Sequence, residues 1–189
     1  MIDVKAALRY PFQQQDWLKK GFIGSLLALA SFLLVPAPLL IGYVLRVMRE
    51  ESMPEFNNLI QMYIEGLKGL AVAILYFVPG AAIAGVFENS IGAAVGIMIF
   101  FVMYYSLESG FYHLANNGFR QAFSLQVLKD AFTLNYLVGL IVAGLLSFGL
   151  ILAFMASLIV VIPVLLFPAV IFYSNVFRYR IMKEAIEAE

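Results

Sequence analysis

The stretch that decides the fold is LNYLVGLIVAGLLSFGLILAFMASLIVVIPVLLFPAVIFYSNVF, residues 134–177, which contains no charged side chain. A helix that crosses a bilayer needs roughly 20 consecutive apolar residues. This stretch is about twice as long, so it must fold back on itself. We predict two spans, 135–154 and 158–177, joined by a turn at Phe154-Met155-Ala156-Ser157. The chain is thus expected to be an all-α membrane protein.

The composition indicates a membrane environment for the rest of the chain as well. Hydrophobic residues make up 63% of it and charged residues only 13%, whereas a soluble domain is about half apolar and about a quarter charged. The mean hydropathy is +0.92. Most of the surface is therefore expected to be solvated by lipid.

The charges and the reactive residue types exclude several classes of function. Twelve Lys and Arg balance twelve Asp and Glu, so the chain lacks the basic field of a typical nucleic-acid binder. It has no cysteine and a single histidine, which leaves no disulfide, no thiolate chemistry and almost no ligands for zinc. The sequence also contains no nucleophile motif such as Gly-x-Ser-x-Gly. We therefore expect no enzymatic activity, no cofactor, no metal and no nucleic-acid partner.

Three further apolar stretches lie earlier in the chain, at 21–48, 67–87 and 91–112. The second and third are separated only by Phe87-Glu88-Asn89-Ser90, a short polar turn, so we predict that they form a helical hairpin. Together with the pair predicted above, this gives two hairpins in a polytopic helical bundle. The whole chain, 1–189, is taken as one integral membrane domain.

The first stretch, 21–48, has Pro36 and Pro38 in its middle, where each proline removes a backbone donor and clashes with the preceding turn. It is either one kinked span or a short hairpin, and the hairpin would make these prolines a hinge or re-entrant turn. Cytoplasmic loops collect lysine and arginine, and only the hairpin places all basic residues on one side of the membrane. We favour the hairpin for that reason. The basic residues are Lys5, Arg9, Lys19, Lys20, Arg46, Arg49, Lys68, Arg120, Lys129, Arg178, Arg180 and Lys183.

Amphipathic segments precede the apolar stretches. Residues 54–69 place apolar side chains on one helical face and polar ones opposite, residues 119–132 repeat the pattern, and residues 4–11 form a weaker version. Such helices suit the headgroup plane of a bilayer, so we predict interfacial helices there. A unit of one interfacial helix and one hairpin then recurs as three degenerate repeats. The predicted repeats are 1–50, 54–115 and 119–185.

Four arginines near the ends of the apolar stretches are the candidates for contact with phospholipid headgroups or another anionic ligand. Basic residues at such positions also fix the orientation of a membrane protein. The four are Arg46, Arg49, Arg178 and Arg180.

Ionisable residues close to membrane segments are weaker candidates for a polar site, because such residues often mark function when they lie inside a span. Glu65 and Lys68 are three residues apart and are expected to face one another on one helix. Glu108 follows a long apolar run, and His113 lies just beyond it. For Glu108 we expect an interfacial ion pair with a basic neighbour.

Several short motifs occur in a characteristic order. They are Asp16-Trp17-Leu18-Lys19-Lys20, Gly42-Tyr43-x-x-Arg46-x-x-Arg49, Pro54-Glu55-Phe56 and Gly66-Leu67-Lys68. This order resembles a family of uncharacterised archaeal and bacterial multi-pass membrane proteins, domain of unknown function 4013, with Met53 where the family pattern has leucine. The motifs cover residues 12–80, and the remainder is similar by hydropathy alone. The resemblance implies a multi-pass protein of a bacterial or archaeal cell membrane, and it supplies no activity.

The function predicted from these features is that of a non-enzymatic membrane protein that acts by association, as an accessory subunit, a lipid-interacting scaffold or a membrane-organising factor. Its expected partners are the lipid bilayer and either another membrane protein or further copies of itself. The charge bias places the C-terminus in the cytoplasm, and the first hairpin places the N-terminus there too. The alternative is a small transporter or channel-like protein that acts as an oligomer, with the proline-broken segment along the pathway. A transporter would show substrate-dependent flux in proteoliposomes.

Overall fold

The structure, a computed structural model, describes residues 4–30, 36–86, 90–157 and 163–188. All regular structure within these ranges is helical, which confirms the predicted all-α fold. Short 3₁₀ turns at Tyr10–Phe12 and Gln121–Phe123 accompany the α-helices. The α-helices are α1 Val4–Arg9, α2 Trp17–Ala30, α3 Ala37–Arg49, α4 Leu59–Val86, α5 Ser90–Asn117, α6 Leu125–Ala131, α7 Leu134–Ser157 and α8 Pro163–Glu187.

Within the described ranges, three helices are long and apolar enough to cross a bilayer: Leu59–Ile83 in α4, Gly92–Asn117 in α5 and Leu134–Ala153 in α7. Their outward surfaces are apolar; Ile97 and Leu145, for example, are 56% and 66% exposed. In water an apolar surface of this extent would cause association, whereas lipid tails solvate it. The composition and the fold therefore agree on a membrane protein.

The first apolar stretch forms two helices, α2 and α3, that fold back on each other. The Lys20 ammonium near the start of α2 donates to the Met53 carbonyl oxygen, just beyond α3, at 2.8 Å. The start of α2 and the end of α3 therefore lie at the same end of this pair, as in the predicted hairpin. Pro36 directly precedes α3 and Pro38 lies in its first turn, where the missing N–H groups would be unpaired in any case.

The remaining long helices also pack as antiparallel pairs. Gly110, late in α5, lies against the ring of Tyr76 in α4, whereas Gly80, later in α4, approaches the backbone of Phe100, earlier in α5. In the other pair the Asn135 amide at the start of α7 donates to the Ala188 carbonyl oxygen just after α8, at 3.4 Å. In each pair, the start of the first helix and the end of the second helix therefore lie at the same end of the bundle.

The turn predicted at residues 154–157 is wrong, because α7 continues through Ser157. The next helix begins at Pro163, and proline is favoured at the first position of a helix because its fixed φ suits the helix and its missing N–H costs nothing there. Pro163 was thus the residue in the sequence that indicated the start of the second helix. Residues 158–162, the beginning of the predicted second span, lie outside the described residues, as do 31–35 and 87–89.

The predicted interfacial helix over 54–69 does not exist as a separate element, since α4 begins at Leu59 and runs without a break to Val86. The apolar face of this stretch is exposed, as predicted, but the same apolar stripe continues along α4 into the membrane span. The opposite face is buried against α3 at Met62 and Gly66. The apolar stripe therefore extends the span instead of forming an interfacial helix.

The predicted helix over 119–132 is also divided. A 3₁₀ turn at Gln121–Phe123 ends at Ser124, where the backbone is extended, and α6 follows. Of the predicted apolar face, Phe119 and Phe123 are exposed, whereas Ala122, Val127 and Ala131 are buried in the core of the bundle, so most of this face packs against other helices and not against lipid. At the N-terminus α1 ends at Arg9, two residues before Pro11, in agreement with the weaker third pattern.

Two clusters of buried side chains hold the helices together. One joins α2, α3, α4 and α8 and includes Tyr43 and Phe172. The other contains residues from every helix from α3 through α8, including Tyr136 and Met182. Because α8 contributes to both clusters, it links the first pair of helices to the rest of the bundle.

The closest helix approach in this part of the bundle is between α3 and α4, and it depends on two glycines. A side chain at Gly66 would collide with the backbone carbonyl of Pro38, and one at Gly42 would collide with the backbone carbonyl of Met62. Both obstacles are backbone atoms of the facing helix, which cannot rotate away. The two helices are therefore fixed at a distance that only glycine permits.

Gly66→Ala is expected to destabilise the protein by roughly 1–3 kcal/mol, because the added methyl group must push α3 and α4 apart. The measurement is the midpoint of thermal unfolding in detergent. The matched control is Gly144→Ala in α7, where an added Cβ has nothing within 4 Å and should leave the midpoint unchanged. Equal midpoints for the two variants would contradict the contact.

Candidate functional site

Charged and polar side chains gather where the ends of the helix pairs meet, and they are joined there by ion pairs. This is the distribution that the hairpin interpretation of the basic residues predicts. Several of the charged groups are buried, which requires a partner for each charge. Among the described residues, the ion pairs between different helices or segments are Arg46–Glu65, Arg49–Glu65, Arg178–Glu108, Arg180–Glu51 and Lys183–Glu51, and His113 forms a hydrogen bond with Asp130.

The first four residues of the connection between α3 and α4, the 50–53 segment, receive hydrogen bonds from the N-terminal part of the chain. The Tyr10 hydroxyl donates to the Ser52 carbonyl oxygen at 2.8 Å, and the buried Lys20 ammonium donates to the Met53 carbonyl oxygen at the same distance. Non-helical backbone offers carbonyl oxygens that no helix uses. The Met53 carbonyl oxygen thus gives the buried Lys20 charge a hydrogen-bond partner.

The same segment is bound from the other side by α8. The Arg180 guanidinium donates to the Glu50 carbonyl oxygen and to the Glu51 carboxylate, each at 3.1 Å, and lies 4.5 Å from the centre of the Tyr10 ring. Lys183 donates to Glu51 at 2.7 Å. Both cations are buried, whereas Glu51 is largely exposed. The hydrogen bond from Lys183, followed by that from Arg180, lowers the pKa of Glu51 below its ordinary value.

A second cluster combines residues that the sequence placed in two separate candidate groups. The buried guanidinium of Arg46 donates to Glu65 at 3.1 Å and to the Asn57 carbonyl oxygen at 3.2 Å. Arg49, on the same helix and more exposed, lies 3.5 Å from the other oxygen of Glu65. One carboxylate is thus shared by two guanidinium groups, which leaves an excess of positive charge.

An open pocket of about 230 Å³ lies beside this cluster, between α3, α4 and the end of α5. Arg49, Glu65 and Lys68 line its polar side, and Leu114 and Phe119 are among the residues of its apolar side. The ion pairs of Glu65 are with the two arginines of α3, so the predicted pairing of Glu65 with Lys68 is not the main interaction of this carboxylate. Lys68 is therefore the second cation that lines the pocket, beside Arg49.

Glu108 and Arg178 form a separate ion pair that joins α5 to α8. The Arg178 guanidinium donates to the Glu108 carboxylate, which is 4% exposed. This is the pairing with a basic neighbour that the sequence analysis expected for Glu108. Arg178 and Arg180 consequently belong to different clusters, and the four candidate arginines do not meet in one site.

His113 lies in a buried polar contact between α5 and α6. Its Nε2 is 2.6 Å from the Asp130 carboxylate, and its Nδ1 is 3.0 Å from the Asn117 amide. Gln126 also donates to Asp130, at 2.6 Å. Both ring nitrogens of His113 are engaged within the protein, and no group of three or more candidate metal ligands occurs among the described residues. The geometry is that of a link between helices.

Sequence reasoning missed three residues of the polar end. Lys20 and Lys183 were not recognised as buried cations, and Glu51 was not recognised as the acceptor for Lys183. Lys20 lies 3.7 Å from Asp16, four residues earlier, a spacing that the sequence does show, but its hydrogen bond to the Met53 carbonyl oxygen could not be read from any side-chain pattern. Glu51 and Lys183 are far apart in the chain and meet only after α8 has packed against α3. The adjacent acidic pair directly after the arginines of α3 was the one available signal.

The sequence profile of one known family matches this chain over residues 26–165; the family is described as "Protein of unknown function (DUF4013)". The match covers most of the chain, and it agrees with the family resemblance found in the motifs. No curated protein matches the chain, and no solved structure matches it.

Glu51 should make the stability of the protein depend on pH. Because its pKa is lowered in the folded state from the ordinary value of 4.5, its contribution is present above that pH and is lost as the pH falls through the folded-state pKa. We expect the thermal unfolding midpoint of the wild type to fall more steeply below pH 4.5 than that of Glu51→Gln.

Glu55→Gln, a change at an exposed carboxylate near the same segment, is the control and should retain the wild-type pH dependence. Parallel pH curves for the wild type and Glu51→Gln would show that the contacts with Lys183 and Arg180 do not stabilise the fold.

Proposed function

The chain belongs to the DUF4013 family of proteins of unknown function, and from its own residues we propose a non-enzymatic integral membrane protein that acts by association with anionic phospholipids. The site of this association is the pocket lined by Arg49 and Lys68. Among the roles predicted from the sequence, this favours a lipid-interacting scaffold over an accessory subunit. A small transporter or channel stays a separate prediction.

The observation that carries the proposal is the charge balance of the pocket. Arg49 and Lys68 line it with two positive charges and Glu65 with one negative charge, and the same carboxylate also pairs with the buried Arg46 outside the pocket. Arg46 is held by Glu65 and by the Asn57 carbonyl oxygen, so Arg49 and Lys68 are the cations best placed to bind a ligand. Guanidinium and ammonium groups bind phosphate through charge-assisted hydrogen bonds.

The other side of the pocket supports a lipid as the source of that phosphate. Leu45, Leu114 and Phe119 bring apolar surface next to the cations. A free anion would gain nothing from this surface, whereas a phospholipid presents its phosphate and its glycerol-linked chains to the two sides at once. Long cationic side chains reach from the edge of a span toward the headgroups, which suits Lys68 in α4.

We also propose how the protein lies in the membrane. The polar end of the bundle, with the N- and C-terminal helices, faces the cytoplasm of a bacterium or archaeon, since basic residues collect on that side. The connections between the paired helices then lie toward the opposite side. At ~1.5 Å per residue, the 14 residues of α2 and the 13 of α3 are shorter than a core of about 30 Å, so this pair is re-entrant.

Cysteine labelling from outside the cell tests this topology, because the chain has no native cysteine. Gln15 and Ser52 are exposed and lie, in the sequence, before and after the first helix pair. Gln15→Cys and Ser52→Cys should both be protected from an impermeant maleimide. Asn89→Cys, in the connection between α4 and α5, should react. Labelling of Gln15 and Ser52 with protection of Asn89 would reverse the orientation, and unequal labelling of Gln15 and Ser52 would contradict the re-entrant pair.

The headgroup site predicts selective retention of anionic lipid. After reconstitution in vesicles of equal phosphatidylglycerol and phosphatidylcholine, native mass spectrometry should show phosphatidylglycerol enriched on the wild type. Arg49→Gln and Lys68→Gln should each lower this enrichment about fivefold, since a cation near an anionic lipid surface contributes about 1 kcal/mol.

Lys5→Gln, an equal change in net charge at an exposed position of α1, is the control and should retain the enrichment. A similar loss in all three variants would indicate diffuse attraction instead of a site. Unchanged enrichment in Lys68→Gln and Arg49→Gln would overturn the proposal. A stoichiometric companion protein in the spectrum, with no retained lipid, would favour the accessory-subunit role.

A further inference from the structure

A large apolar groove lies on the outside of the bundle between α2 and α8. Its volume is about 690 Å³, and it extends from Trp17 and Tyr173 at one end to Leu29 and Pro168 at the other. It shares no lining residue with the Arg49 and Lys68 pocket. An inference about its occupant is therefore independent of the proposed headgroup site.

One wall of the groove is a stripe of large apolar side chains along α2. Leu18, Phe22, Leu26 and Leu29 follow one another at helical spacing and are each more than half exposed. A neighbouring face of α2 is already used for packing, since side chains at Gly21 and Gly24 would collide with the rings of Tyr173 and Phe172. The exposed stripe is thus left to contact something outside the chain.

One end of the groove has the residues of a membrane interface. The Tyr173 hydroxyl donates to the Trp17 carbonyl oxygen at 3.3 Å, and the ring of Phe12 packs edge-on against Trp17 at 5.1 Å. Tryptophan and tyrosine favour the headgroup level, and Lys19 is exposed in the same helical turn as Trp17. The groove therefore begins at headgroup depth and runs inward, which is the path of an acyl chain.

A helix of a partner protein or of a second copy fits this groove less well. Helices associate in membranes through small residues that let backbones approach, and the small residues of α2 at Gly21 and Gly24 are already filled by rings of α8. Ten residues line the groove, whereas a stable protein interface uses about 20–30 on each side. Its volume lies in the range of pockets for single small ligands, about 300–1,000 Å³.

We propose that this groove holds one acyl chain of a membrane phospholipid, with the headgroup near Lys19 and the chain along Phe22, Leu26 and Leu29. The bound lipid fills the space that α2 and α8 leave open at bilayer depth. It gives the protein a second, chain-directed lipid site that does not depend on headgroup charge.

Trp17 is the single tryptophan of the chain and lines the groove, so its fluorescence reports occupancy directly. Phosphatidylcholine with brominated acyl chains, titrated into the detergent-solubilised protein, should quench Trp17 in a saturable manner at about one equivalent. Excess unbrominated phosphatidylcholine should restore the emission. This competition uses the wild-type protein and needs no variant.

Ser25→Phe should lower the saturable quenching at least severalfold, because it places a ring in the groove. The Ser25 hydroxyl donates only to the Gly21 carbonyl oxygen of its own helix, at 2.6 Å, so its loss is tolerated. Gly144→Phe is the matched control, because it adds the same ring on α7 at a position where an added Cβ has nothing within 4 Å. It should retain wild-type quenching. Arg49→Gln and Lys68→Gln should also retain it, which separates this test from that of the headgroup site.

Two results would overturn the proposal. One is quenching that rises in proportion to the brominated lipid in the micelle, without saturation and without reversal by competitor. The other is a dimer in native mass spectrometry that Ser25→Phe dissociates and Gly144→Phe does not, which would assign the groove to a second copy.

Discussion

Two buried cations, Lys20 and Arg180, bind backbone carbonyl groups of the 50–53 segment, and the relative positions of the first three and the last helices depend on these bonds. A charge removed from water is costly unless it is paired and hydrogen-bonded. The free carbonyl oxygens of a non-helical segment meet part of that need, and the carboxylates of Asp16 for Lys20 and of Glu51 and Glu184 for Arg180 meet the rest. Because Lys20 comes from α2 and Arg180 from α8, one short connection holds together regions that are far apart in sequence.

The fold-back of α2 and α3 follows from the same bonds. With both ends of this helix pair held at the polar end, α2 and α3 run in opposite directions beside each other. α8 then packs along α2 and contributes to both buried clusters. The groove and the headgroup pocket lie on different sides of this arrangement, one where α2 meets α8 and the other where α3 meets α4 and α5. Two modes of lipid contact, one through charge and one through apolar shape, are therefore compatible in one small bundle.

Hydropathy, charge bias and proline position were sufficient to predict the membrane class, the all-helical fold and a break within the first apolar stretch. The helix ends were less predictable. The stripe over 54–69 was interpreted as an interfacial helix because its apolar period alone does not show whether it continues into a span, and α4 does continue. The turn assigned to 154–157 was wrong because α7 continues through Ser157, and the helix-start signal of Pro163, a typical first residue of a helix, was not used.

The site was predictable in its residue types and unpredictable in its pairings. Arginine near the end of an apolar stretch indicates headgroup contact, and Arg49 lies in such a position. That Glu65 is shared by Arg46 and Arg49 depends on how closely α3 approaches α4, which the glycines set. Likewise, Arg178 and Arg180 are two residues apart but bind Glu108 and Glu51 respectively. Periodicity places a side chain on a face, and tertiary packing decides which partner that face meets.

The shortness of α2 and α3, 14 and 13 residues, has a consequence for the bilayer itself. In the re-entrant arrangement that we propose, this helix pair turns back before crossing and adds most of its cross-section to a single leaflet. That leaflet must then occupy a larger area than the opposite one, and a sheet with unequal leaflet areas relieves the difference by bending. Several copies placed side by side would add their wedges together, so that the local density of this protein would set the curvature of the membrane around it.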